Sequence, residues 1–147
     1  MMRIGHGYDV HPLVAGREAV TLAHFRSAGA GHMSRGVVLR SATVTGNGNG
    51  TGQNLGVTAL NTTFQAIVRV VTATGFTTAT VAIQESQNDG GADPYATIAG
   101  MSQVVTAVGV WRLTTTAATE AWKRVNIAAW TGTSIVQLVT AGAVAGT

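Results

Sequence analysis

From Val37 onward the chain alternates apolar and polar residues in short runs broken by Gly, Asn, Asp and Pro, with Thr and Val dominating. Period-two alternation places every second side chain on one face of a strand, and β-branched residues suit a pleated, half-buried surface. Val37–Val44 is expected to form a first strand, followed by a mobile glycine-asparagine loop over Gly46–Gly52. Phe64–Thr72 follows, with Phe64, Ala66, Val68 and Val70 on one face and Gln65, Ile67, Arg69 and Val71 on the other. Thr74-Gly75-Phe76 separates it from Thr77–Ser86, where Ala79, Val81 and Ile83 point inward. Gln87–Pro94 is a turn by composition, because Asn-Asp-Gly-Gly favours positive φ and Pro94 cannot donate to a ladder. Strands are then expected at Tyr95–Ala99, Val104–Val108, Gly109–Thr116, Ala121–Trp130 and Thr133–Thr140. Ala118–Ala129 is also compatible with a helix, but Val125, Ile127 and the Gly132 stop favour a strand. Seven or eight short strands with turns about every ten residues predict an all-β protein, an antiparallel β-sandwich of jelly-roll-like or Ig-like type.

At 147 residues, the chain has room for one domain with a substantial core. The composition changes near residue 33: all 4 histidines (His6, His11, His24 and His32) precede that point. Residues 1–33 are therefore expected to be a poorly docked leader, fused or mis-started, and residues 34–147 the sandwich domain.

Charge narrows the function. Only 10% of residues are charged, against 46% hydrophobic, so the surface is kept wet by Thr, Ser, Asn, Gln and Gly. A surface of that kind is cheap to bury against a partner, since little charge must be desolvated. The 9 Lys and Arg exceed the 6 Asp and Glu, giving a net charge of +3, but the basic residues are scattered rather than gathered into a stripe. Nucleic-acid binding needs such a stripe, so no nucleic-acid partner is expected. No apolar run reaches the roughly 20 residues of a membrane span, and no membrane partner is expected. Without cysteine, disulfides and thiolate metal sites are excluded. The N-terminus lacks the apolar core of a signal peptide, which leaves a soluble protein made in the cytoplasm as the expectation.

Chemistry-bearing constellations are few. Ser86, Ser102 and Ser134 have no histidine in their own domain to serve as base, so no catalytic residue is assigned. Neither Gly5-His6-Gly7 nor the glycine-asparagine run follows a strand and opens a helix, and neither carries the lysine of a phosphate loop. Glu85, Asp89 and Asp93 lie on or beside one turn and could hold Ca²⁺ weakly, although a solvated turn is the simpler reading. Trp111, Trp122 and Trp130 could stack sugars, in which case two indoles should be coplanar and exposed; at least two are expected in the core. No metal ligand and no cofactor are assigned.

Two resemblances bear on function. The order F-x-A-x-V-x-V from Phe64, T-x-T-V-x-I-Q-E-S ending at Ser86, an Asp/Gly/Pro turn, Y-x-x-I-A-G from Tyr95 and W-K-R-V-N-I-A from Trp122 is similar to small β-sandwich structural proteins of tailed bacteriophages. It covers roughly residues 43–140. The resemblance implies a non-enzymatic virion protein, decorating or cementing the capsid or else placed in the tail, made in the host cytoplasm. Its implied partners are other virion proteins and further copies of itself. Separately, Met2–His11 with Pro12–Arg17 resembles the N-terminal strand of 2-C-methyl-D-erythritol 2,4-cyclodiphosphate synthase, a zinc-dependent lyase. In that family the Asp and His of a D-x-H motif ligate the metal, which here would be Asp9 and His11. A zinc site of this kind needs a third protein ligand and an open fourth position. No histidine follows His32 to supply the third ligand, and the resemblance ends within about 17 residues, so the lyase is the alternative reading.

Overall fold

The computed structural model describes residues 36–143 as a β protein without helices. The order is β1 (Val37–Val44), β2 (Gly48–Asn49), β3 (Gln53–Asn54), β4 (Phe64–Ser86), β5 (Ala96–Val105), β6 (Gly109–Thr115) and β7 (Trp122–Ala143). All seven belong to one open antiparallel sheet of order β1-β7-β4-β5, with β2 and β3 also on β7 and β6 also on β4. The leader of residues 1–33 lies outside the described residues, as do Asp9 and His11.

Two elements are longer than the alternation suggests. Phe64–Thr72 and Thr77–Ser86 are a single strand of 23 residues, and Ala121–Trp130 and Thr133–Thr140 merge into one of 22. They pair with each other from Phe64↔Ala143 to Ser86↔Trp122. Thr74-Gly75-Phe76 and Thr131-Gly132 are therefore bends within strands, and the chain does not reverse there. Register shifts at Val70/Thr72, Phe76/Thr78 and Thr78/Thr80 concentrate twist in the middle of the ribbon. Gly75 (φ 58°), Ala129 (φ 49°) and Gly132 (φ 106°) take positive φ at the same place. A Cβ on Gly132 would stand 2.5–2.6 Å from Gly75 O, Phe76 Cα and Thr77 N, so the two backbones touch where only glycine fits. Phe76 and Trp130 close the corner with ring centroids 5.1 Å apart.

Straight, a strand of this length would span about 75 Å, far more than a core of this size can cover. The ribbon doubles back instead. One half carries β1 and β6 beside residues 135–143 and 64–70; the other carries β2, β3 and β5 beside residues 122–128 and 79–86. Both halves feed one buried cluster, with Phe64, Val68, Val139 and Leu39 from the first and Val81, Ile83, Val125 and Ile127 from the second. Gln53 Nε2 on β3 donates to Val38 O on β1 at 2.8 Å, which joins the two halves along their open side. The expected sandwich is thus one sheet folded over itself, and the inward residues are those the alternation assigns.

Two further local expectations are corrected, and one is met. The run Gly46–Gly52 does not form a free loop: it lies along β7, with Gly50 N donating to Val125 O at 2.7 Å and Asn126 Nδ2 to Asn49 Oδ1 at 2.7 Å. Tyr95–Ala99 and part of Val104–Val108 fuse into β5, bent at Gly100 (φ 77°), with residues 106–108 turning into β6. Ala118–Ala129 forms no helix; from Trp122 it is strand.

Candidate functional site

The densest set of side-chain hydrogen bonds among the described residues lies at the end of the sandwich where β4 leaves and β7 begins. Ser86, fully buried, organises the turn after β4. Its Oγ donates to Asp93 O at 2.7 Å and accepts from Asn88 N and Gly90 N at 3.2 and 2.8 Å. Asp93 Oδ2 accepts from Gln87 N at 2.7 Å, and Asn88 Oδ1 accepts from Asp93 N at 3.1 Å. The hydroxyl of Ser86 is fully engaged in holding the turn, a structural use that nucleophilic chemistry would have to break. Ser102 is exposed on β5 and Ser134 half-buried on β7.

Next to the turn runs a chain of contacts across strands. Tyr95 donates its hydroxyl to Asp89 Oδ1 at 2.6 Å, and the Arg124 guanidinium lies 4.0 Å over the Tyr95 ring while its Nε donates to Gln84 Oε1 at 2.8 Å. Burial, followed by the Asp89 hydrogen bond and charge, pushes the Tyr95 phenol up to about 12. A Cβ on Gly52, just before β3, would collide with both Asp89 Oδ1 and the Tyr95 hydroxyl, so a larger residue there would have to displace this side-chain pair.

The four described carboxylates, Glu85, Asp89, Asp93 and Glu120, all lie at this end. Glu85 Oε2 accepts from Glu120 N at 2.8 Å, and burial together with the neighbouring Asp93 carboxyl pushes Glu120 up. No three acidic or histidine side chains among the described residues converge as metal ligands, and Glu85, Asp89 and Asp93 are engaged in holding the turn and its neighbours. Between the segments Val57–Thr58 and Ala118–Ala121 there opens a cleft of about 650 Å³, lined also by Glu85 and Gln87. Thr119 is buried in its wall with Oγ1 lacking a described partner.

Three cationic or amide groups face the interior. Lys123 is fully buried, its ammonium unpartnered by any hydrogen bond and 5.4 Å from the Phe64 ring; burial pulls its pKa down. Burial also lowers Arg40, whose Nη1 has no described partner. Gln137 is buried with neither amide atom answered among the described residues.

Trp111 and Trp130 pack against the core, and Trp122 is half-buried; the one close aromatic pair, Phe76 with Trp130, is tilted by 54°. That geometry does not form a flat, exposed sugar platform. Sequence reasoning missed the cleft, because Thr58 and Thr119 meet only through tertiary pairing. The burial of Lys123 had a visible signal: it is in phase with Val125 and Ile127. Among the described residues no helix is long and apolar enough to cross a membrane.

No protein-family model matches the chain, and neither the curated proteins nor the solved structures searched contain a match to it.

Proposed function

We propose that the chain is a non-enzymatic structural protein of a bacteriophage particle, decorating or cementing the capsid or else contributing to the tail, and that it acts through contacts with other virion proteins and with its own copies. The observation that carries this reading is how the polar groups are used. Ser86, Asp89, Asp93, Tyr95 and Arg124 are engaged with one another or with backbone, while the outer face of the first half leaves Val38, Val110 and Val136 exposed. Exposed apolar side chains among neutral polar ones suit protein contacts, where little charge is desolvated and many small interfaces add through multivalent display. The edge strands β5 and β6 carry a single charged residue, Arg112, and no proline, so they are open to pairing with a neighbour's sheet.

A protein partner fits better than nucleic acid. Of the five described cations, Lys123 is buried, Arg40 half-buried and Arg124 stacked on Tyr95, which leaves Arg69 and Arg112 exposed. Two charges make no stripe for a phosphate backbone. Mass spectrometry of purified phage particles, from the host that carries the gene, tests the proposal. Stoichiometric amounts of the chain in the particles are expected. Its absence from particles, or stoichiometric zinc with turnover of a cytidine-diphosphate substrate, would sink the reading.

A further inference from the structure

We infer that the chain associates with itself head to tail, the outer face bearing Arg69 and Arg112 on one copy docking into the Glu85–Glu120 cleft of the next. This deepens the reading above, on which it rests, by naming the partner and both surfaces.

The first surface follows from the register. On the solvent side of the first half, Leu138, Arg69 and Val110 lie in one row across three strands, and Thr140, Ile67 and Arg112 in the next. Val110 is 63% exposed, and Arg69 and Arg112 are exposed beside it. No described carboxylate lies on this face, so its two guanidinium groups have no acidic neighbour there. The result is a sheet face of apolar and neutral polar side chains with two positive charges.

The second surface has the opposite character. The cleft presents Glu85 and Glu120, with Asp93 beside Glu120, and Val57, 77% exposed, forms its rim. The buried Thr119 hydroxyl in its wall lacks a described partner. Lys123, opposite Glu85 on the ladder and attracted by Glu85 and Glu120, lies behind the cleft, fully buried with its ammonium over Phe64 and hydrogen-bonded to neither carboxylate. A guanidinium offers five donors in one plane and meets carboxylates in pairs, and its stem covers apolar surface. It adds a charged donor for carboxylates that now accept from neutral ones, Glu85 from Glu120 N at 2.8 Å and Glu120 from Gln87 Nε2 at 3.4 Å.

Charge also limits which surfaces can meet. Joining the arginine face to a second arginine face would bring like charges together, and joining cleft to cleft would do the same with carboxylates. Unlike surfaces pair, and a head-to-tail contact of this kind can repeat.

Sedimentation velocity on the full chain, across concentration at low and high salt, tests this. Association at low salt that weakens at high salt is expected, because exposed charge pairs are screened. The double variant Arg69→Ala/Arg112→Ala loses the face, and Glu120→Arg reverses the cleft; both alter side chains outside the core, and circular dichroism verifies folding. Each alone should associate at least tenfold more weakly than the parent chain. Mixed, they should form one-to-one dimers that grow no further, since each supplies the surface the other lacks. A parent chain that stays monomeric at low salt, variants that associate as well as it does, or a mixture that stays monomeric would overturn the inference. A monomeric chain found in purified particles would sink this interface alone; an associating chain absent from particles would sink the virion reading alone.

Discussion

The ammonium of Lys123 sits 5.4 Å from the centroid of the Phe64 ring, although the two residues belong to opposite ends of the β4–β7 ribbon. Lys123 pairs with Glu85 across the ladder, and Glu85 stands 21 positions along β4 from Phe64. The contact exists because the ribbon folds in two, and it buries a charge. Cation–π attraction offsets part of the cost, about 0.5–2 kcal/mol, but the ammonium still lacks a hydrogen-bond partner.

Lys123→Met is therefore expected to stabilise the fold at neutral pH. The stem is retained while an unsatisfied buried group, worth about 1–3 kcal/mol, is removed. The pH dependence gives a second readout. Burial lowers the folded pKa of Lys123, so between that value and its ordinary one the unfolded chain binds more protons and stability rises with pH. Urea denaturation over that range should show the rise in the parent chain and lose it in the variant.

Gly132→Ala tests the bend. The added Cβ would meet three backbone atoms of β4 at 2.5–2.6 Å, at a φ of 106° that side chains rarely adopt. Backbone cannot swing aside as a flexible side chain can. A loss of more than about 2 kcal/mol is expected, seen as a lower thermal midpoint; a variant as stable as the parent would refute the close approach.

Tyr95 should ionise late. Its phenol is held up at about 12 by burial and by Asp89, so ultraviolet titration should show one tyrosine ionising well above the ordinary range, and Asp89→Asn should bring it down. The sign for stability is opposite to that of Lys123. Between about 10 and 12 the folded state keeps a proton the unfolded chain has lost, so this group's contribution falls as pH rises through that window.

Ser86→Ala removes one donor and two accepted hydrogen bonds from a buried turn. With Asn88 N and Gly90 N left unanswered, a loss of about 2–3 kcal/mol is expected, together with faster amide exchange across residues 87–94.

Removing residues 1–33 should leave a folded protein with the parent's circular dichroism, because the core cluster is assembled from Leu39 to Ala141. A truncated chain that does not fold would show that the leader contributes to the core.

Period two, read from the sequence, decides which side of each strand is buried: Phe64, Ala66, Val68 and Val70, then Ala79, Val81 and Ile83, all face inward in the structure. A strand's faces are a local property, and so are the turn chemistry of residues 87–94 and the all-β class. Tertiary structure alone decided whether Gly75 and Gly132 reverse the chain or merely bend it. A positive φ permits either outcome, and only the partner strand running past both glycines selects the bend. The same holds for the glycine-asparagine run, which becomes an edge because β7 offers it free ladder groups. The cleft, the arginine face and the Lys123–Phe64 contact join residues far apart in the chain. Their proximity follows from where the ribbon folds, and no local pattern encodes that distance.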